Sequence, residues 1–321
     1  MATSPAPIPD RPALAPWCRV AEDDGRVLLE HGGTVVTLAG KAVDALLPRL
    51  LPLLDGTRSV AEIGSQLGRA AAPAVENALS LLAAHQLLVD GPSQSAGDEV
   101  VTAAAAYAAA VTRRTTPAAA VEALTTARVR VLGSGVLAEE LRSQLGRMGM
   151  PRVGAGTLTT DAVGGDLVVA APAVDEIPLL DRLNATLLEA EKPWLQVLPH
   201  DGRFLVVGPL VLPNVTACRR CYVLRRGACS GYEDDFDRIE AEPLRASAPF
   251  PLVSVAAGIA AVLALRWLTT SDSSLPGRYY ALESSTILRL SHHRVVRVPR
   301  CRECGPSERA IASPSFSEAA A

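Results

Sequence analysis

The chain has 321 residues, room for one large or two ordinary domains, and 49% of them are hydrophobic, enough for real cores. Its formal net charge of -3 excludes the global basic field that nucleic-acid binders carry. The start is proline-rich, without a charged n-region or an apolar core, so no secretory signal is read there and a cytoplasmic location is expected.

Residues 1–16 carry many prolines and are expected to be disordered. Extended stretches follow at 17–21, 26–30 and 34–38. His31-Gly32-Gly33 separates the last two and reads as a hairpin turn. In the third strand Thr34, Val36 and Leu38 share one face, and Val35 and Thr37 the other. Val43, Leu46, Leu47, Leu50 and Leu54 then recur at helical spacing. Pro48 and Pro52 interrupt that stripe and predict a kink or two short helices. Asp55-Gly56 makes a turn. Ser59-Val60-Ala61-Glu62 is a capping box opening a second helix, which Gly68 closes. Pro73 suits the first turn of a third helix, with Val75, Ala78, Leu79 and Leu82 on one face.

Three strands followed by three helices within residues 17–90 form a winged-helix pattern. Such modules often bind DNA, but residues 73–85 contain no Lys or Arg for phosphates and base edges. An uncharged edge strand beside an apolar helix suits a peptide that adds as a further strand. Leu28-Leu29-Glu30-His31-Gly32-Gly33, Leu54-Asp55-Gly56-Thr57 and Ser59-Val60-Ala61-Glu62-Ile63 resemble the PqqD-like leader-peptide recognition element of ribosomal peptide biosynthesis. The resemblance implies that a precursor's leader pairs with Thr34, Val35, Val36, Thr37 and Leu38. It would lie against Val75, Ala78, Leu79 and Leu82.

Residues 91–97 read as a linker, and residues 98–306 as a second domain. An Ala-rich helix spans 99–114. A strand at 128–132 runs into Gly133-Ser134-Gly135 and a helix from about 136 to 148, the opening of a nucleotide-binding α/β unit. Strands at 152–154, 166–170 and 194–198 alternate with a helix at 178–191, which argues for a largely parallel sheet. Residues 227–251 read as a polar loop whose acidic cluster, Glu233-Asp234-Asp235 and Asp237, is either solvated or a metal site. Residues 252–268 approach membrane-spanning length but are Ala-rich and contain Ser254, Gly258 and Arg266. A buried helix is the expectation, with no membrane contact. Strands are expected at 279–283, 287–290 and 295–298, with His292-His293 at a turn. Residues 307–321 are expected to be a flexible tail.

Cys218-Arg219-Arg220-Cys221 and Cys301-Arg302-Glu303-Cys304 are paired knuckles of the kind that close a tetrahedral four-thiolate zinc site. Such a closed shell is structural, because no position is left for a substrate. Two disulfides, or unrelated thiols, are the competing readings. Cys229, near an acidic loop, has no His nearby in sequence to activate it as a nucleophile.

Gly133-Ser134-Gly135, Asp166-Leu167-Val168-Val169-Ala170, Lys192-Pro193-Trp194, Gly208-Pro209-Leu210-Val211 and the two knuckles resemble the ThiF/MoeB-like family, related to ubiquitin-activating enzymes. Active members adenylate a carboxylate with ATP and magnesium. Here Val136-Leu137-Ala138 follows Gly135 where more glycine is usual, and the next basic residue is Arg142. The magnesium-holding aspartate expected after the 166–170 strand is replaced by Ala171-Pro172-Ala173. ATP binding and catalysis are therefore not expected. Residues 17 to about 306 together resemble the ocin-ThiF-like, leader-binding cyclodehydratase partners of thiazole/oxazole-modified peptide biosynthesis. That resemblance implies capture of a precursor leader and presentation of its core to a YcaO cyclodehydratase supplied in trans. It is compatible with a homodimer. An active adenylating enzyme acting on a peptide or carrier C-terminus is the alternative, and a winged-helix regulator a third reading.

Overall fold

The computed structural model describes residues 7–23, 25–91, 98–159 and 163–305. The expected tail and most of the expected linker lie outside these residues. The chain divides into two compact units. One runs to Thr126 and adds Arg147–Pro151 and Leu265–Ser271; the other holds Ala127–Gly146, Arg152–Ala264 and the chain from Asp272. The first unit thus extends past the boundary expected at residues 91–97.

The first unit contains β1 (Pro12–Leu14), β2 (Arg19–Asp23), β3 (Arg26–His31), β4 (Thr34–Ala39), α1 (Lys41–Leu50), α2 (Val60–Leu67), α3 (Ala72–Ala84), β5 (Leu88–Asp90), α4 (Glu99–Thr112) and α5 (Pro117–Thr126). Strands β2, β3 and β4 form an antiparallel sheet in that order, so β4 is an edge. Gly32 and Gly33, with φ of 59° and 81°, make the turn between β3 and β4, a conformation that side-chain-bearing residues adopt reluctantly. Pro48 lies inside α1, which gives way after Leu50 to a 3-10 turn, Leu51–Leu53. The capping box forms: the Ser59 hydroxyl accepts the Glu62 N–H, and the Glu62 carboxylate accepts the Ser59 N–H at 2.7 Å. One face of the sheet and the three helices enclose Leu29, Leu47, Leu50, Ile63, Leu79 and Leu82.

The N-terminal stretch corrects the expectation of disorder from residue 12 on, while residues 1–6 lie outside the described residues. Pro12–Leu14 pairs antiparallel with Leu88–Asp90, and Ala13 is fully buried. Pairing with a strand far along the chain outweighs the local proline content. Helix α5, which lacks an obvious stripe, was not anticipated; it buries Pro117, Ala120 and Leu124.

The second unit contains β6 (Arg128–Leu132), α6 (Val136–Arg147, except its last residue), β7 (Arg152–Gly156), β8 (Leu167–Ala170), α7 (Leu180–Glu189), β9 (Trp194–Leu198), β10 (Phe204–Val211), α8 (Arg219–Gly227), α9 (Glu233–Glu240), α10 (Phe250–Thr270, up to Ala264), β11 (Arg278–Glu283) and β12 (Arg289–Arg294). The seven-stranded sheet runs β12-β11-β10-β9-β8-β6-β7. The β7, β6, β8 and β9 pairings are parallel; β10, β11 and β12 add antiparallel. Every residue of β8 and β9 is buried, as a parallel sheet covered on both faces requires.

Three expectations change here. The acidic stretch is not a loop: Glu233, Asp234 and Asp235 occupy the first turn of α9, where carboxylates favour the positive end of the helix, and Phe236 anchors it in the core. His292 and His293 lie within β12, opposite Tyr280 and Tyr279, rather than at a turn. Residues 295–298 run as irregular chain. Helix α10 is long and apolar enough to cross a membrane by length and composition. Yet Val253, Ala256, Ala257, Ala260, Ala261 and Ala264 recur at helical spacing and are buried, the signature of a helix packed on one face.

Candidate functional site

Cys218 caps the N-terminus of α8, and Cys221 lies one turn into it. Cys301 and Cys304 lie beyond β12. The chain folds so that all four sulfurs fall within 4.8 Å of one another. Sγ–Sγ distances are 3.9 Å for Cys218–Cys221, 3.8 Å for Cys218–Cys301 and 3.5 Å for Cys221–Cys304. A disulfide needs about 2.05 Å, and the six cysteines are free thiols. A tetrahedral ion with sulfur bonds of about 2.3 Å spaces its ligands about 3.8 Å apart. These three distances lie close to that spacing, so the cluster is able to hold a metal ion. The acidic residues of α9 do not converge in this way among the described residues.

Three of the four cysteines are buried. Burial pushes the Cys218 thiol up and the Cys304 thiol up to about 11. At Cys301 burial acts the same way, but the N–H groups of Cys304 and Glu303, together with the Cys221 and Cys218 side chains, offset it and lower the thiol. Four thiolates in such a place need a cation to balance them. The Val298 N–H also donates to Cys221 Sγ at 3.3 Å, fixing the approach of the second knuckle.

Sequence reading missed what ties the first knuckle to the sheet. Arg219 is buried, with only 5% of its surface exposed. Its Nε donates to Asp181 of α7 at 2.8 Å, and its Nη1 to Gln196 of β9 at 3.0 Å. Its backbone N–H donates to Asn184 at 3.0 Å, and Gln196 in turn donates to the Gly208 carbonyl at 2.8 Å. Within Cys-x-x-Cys, Arg219 looks like an ordinary solvated charge; its partners come from elements 23 and 38 residues away.

The glycine loop joins β6 to α6, as the motif predicts. A Cβ at Gly133 would sit 2.1 Å from the Ala171 carbonyl oxygen, so only glycine lets the loop close against the end of β8. The Ser134 N–H donates to Glu176 Oε2 at 2.9 Å, and the Ala173 N–H to the same oxygen at 2.8 Å. No sequence motif marks Glu176, which lies 42 residues from Ser134.

In the first unit, Val36, Val75, Leu79 and Leu82 prove to be core residues, 8% exposed or less. The periodicity that singled out Val75, Leu79 and Leu82 marks the buried face of α3, although Val75 also borders a surface groove with Val60, Gly64, Arg69 and Glu76. What α3 leaves open are Ala74 and Leu81, the latter 41% exposed, with the half-buried Ala78 between them. On β4, Val35 is 56% exposed. A two-residue turn makes His31 and Thr34 a hydrogen-bonded pair, and the alternation carries this to Leu29–Val36 and Val27–Leu38. The backbone groups of Val35 and Thr37 consequently point away from β3, along the free edge.

Neither a protein-family model nor a curated protein matches the sequence. Solved structures do match the fold. A heterocyclase in complex with substrate and cofactor superposes with a TM-score of 0.67 at 23% identity, over 92% of this chain and 39% of its own. The heterocyclase TruD gives 0.66 at 22% identity, over 92% and 43%. This chain shares their fold over 92% of its length. It spans well under half of each heterocyclase, but it matches E. coli MccB, solved with ATP, along 99% of that protein, with a TM-score of 0.66 at 13% identity. MccB has also been solved with AMPCPP and MccA.

Proposed function

We propose that this protein captures the leader segment of a ribosomally made precursor peptide. It presents the core of that peptide to a separate YcaO cyclodehydratase for azoline and azole formation. The observation that carries this reading is the free edge of β4 with the outward backbone groups of Val35 and Thr37, in a module whose α3 keeps an open apolar stripe. An extended peptide satisfies those groups by strand addition, and apolar anchors supply selectivity. The strand order and helix order support a PqqD-like winged helix. The ThiF-like fold shared with a substrate-bound heterocyclase, and with a protein solved with MccA, supports a peptide as partner.

The four thiols take zinc in this reading. Four soft sulfur donors at tetrahedral spacing suit it, and a closed shell makes it structural. The protein itself is non-catalytic. The match to ATP-bound MccB along nearly its whole length favours the adenylating alternative, which precursor-dependent pyrophosphate exchange tests directly.

The leader reading is tested by fluorescence anisotropy on the full chain, using a labelled leader peptide from a precursor encoded beside the gene. Leu81→Asp, on the open stripe, is expected to weaken binding roughly tenfold or more while leaving circular dichroism unchanged. Equal affinity in the two proteins would remove α3 from the site.

A further inference from the structure

The glycine loop is already filled. Strand β6 has β7 on one side and β8 on the other, so the chain reverses its direction of sheet growth between β6 and β8. In open α/β sheets, ligands bind outside the carboxyl ends of the strands at such a switch point. Gly133-Ser134-Gly135 follows β6 there, and Ala171-Pro172-Ala173 follows β8. Backbone N–H groups at the start of a helix in this place ordinarily receive phosphate oxygens. Here one oxygen of Glu176 receives an N–H from each side of the crevice, at 2.9 Å from Ser134 and 2.8 Å from Ala173.

We infer that the Glu176 carboxylate is a built-in anion that occupies the phosphate position of this fold and keeps polyphosphates out. An ionised carboxylate accepting two N–H groups makes strong, charge-assisted hydrogen bonds. An incoming phosphate has to displace it and then meet its charge at close range. The carboxylate also bridges the loops after β6 and β8, so the crevice stays shaped without a ligand. The inference rests on the non-catalytic reading above and supplies its physical cause: beyond lacking charges that hold a nucleotide, the site carries its own competitor.

The test is calorimetric titration of the full chain with inorganic pyrophosphate and, separately, with Mg-ATP. Glu176→Ala, which vacates the position, is expected to bind pyrophosphate roughly tenfold or more tighter than the unaltered protein. Glu176→Gln keeps the shape without the charge and falls between the two; it also serves if the alanine variant does not fold. Asp175→Asn removes the same charge one residue away and leaves the affinity unchanged. Folded Glu176 variants that gain nothing, or an equal gain in Asp175→Asn, overturn the inference and leave the non-catalytic reading standing. Micromolar Mg-ATP binding by the unaltered protein overturns both.

Discussion

The guanidinium of Arg219 and the side-chain oxygen of Gln196 meet at 3.0 Å in the interior of the second unit, linking the first cysteine knuckle to the middle of the sheet. Arg219→Ala leaves that oxygen buried without a donor, at a cost of about 1–3 kcal/mol, and removes well-packed methylenes besides. Asp181 is 57% exposed, so Asp181→Asn is expected to cost less than about 1 kcal/mol. Urea unfolding of the two variants checks the order; equal effects would place the weight on the ion pair instead.

Cys218→Ser and Cys301→Ser are each expected to lose bound metal and to lower stability by about 3 kcal/mol or more, because site formation and folding are coupled. In Tm this is roughly 6–12 °C for a unit of this size. Elemental analysis of the purified variants, read against zinc per chain in the parent, is the decisive measurement. Full metal content in the double variant contradicts the assignment.

Two proline substitutions on β4 separate the ladder from the free edge. Val36→Pro removes an N–H that faces β3 and disturbs a core side chain, so it is expected to cost about 3 kcal/mol. Thr37→Pro removes an outward N–H, costs markedly less, and abolishes leader binding. Thermal melts and anisotropy on the same samples read both effects. Leader affinity retained in Thr37→Pro argues against strand addition at this edge.

Acid should loosen the first unit through Asp55. Its carboxyl is held down to about 2, foremost by the Thr57 hydroxyl at 2.6 Å, with the Thr57 N–H and Arg58 assisting. The folded value lies below the unfolded one, so the stabilisation is present above the unfolded value and lost as pH falls from about 5 toward 2. The side chain is 43% exposed, so solvent screening limits the effect to under about 1 kcal/mol. Asp55→Asn is expected to flatten Tm between those pH values, and an unchanged slope refutes the assignment.

Features carried by short stretches were legible in the sequence. The Gly32-Gly33 turn, the Ser59–Glu62 capping box, the strand before Gly133 and the cysteine pairs each encode their geometry within a few residues. Features that depend on distant partners were not. Pro12–Leu14 is a strand because Leu88–Asp90 lies beside it, and α9 persists among carboxylates because Phe236 is held in the core. Helical periodicity identified the buried face of α3 but not which residues of that helix stay open to solvent. Glu176 carries no local signal, because what defines it is the loop it reaches.

The thiol cluster has a consequence for how the protein behaves in a crowded solution. Between Cys221 and Cys301 lie α9, α10, β11 and β12, and β11 covers one side of β10 from Phe204 to Val207. Opening the clasp releases the far end of that segment. If β11 and β12 peel away, Phe204, Leu205, Val206 and Val207 present bare backbone on a hydrophobic strand, a template for pairing between molecules. With the proposed metal in place the four sulfurs act as a gatekeeper against aggregation, and its removal by a chelator is expected to show first as turbidity that rises with protein concentration.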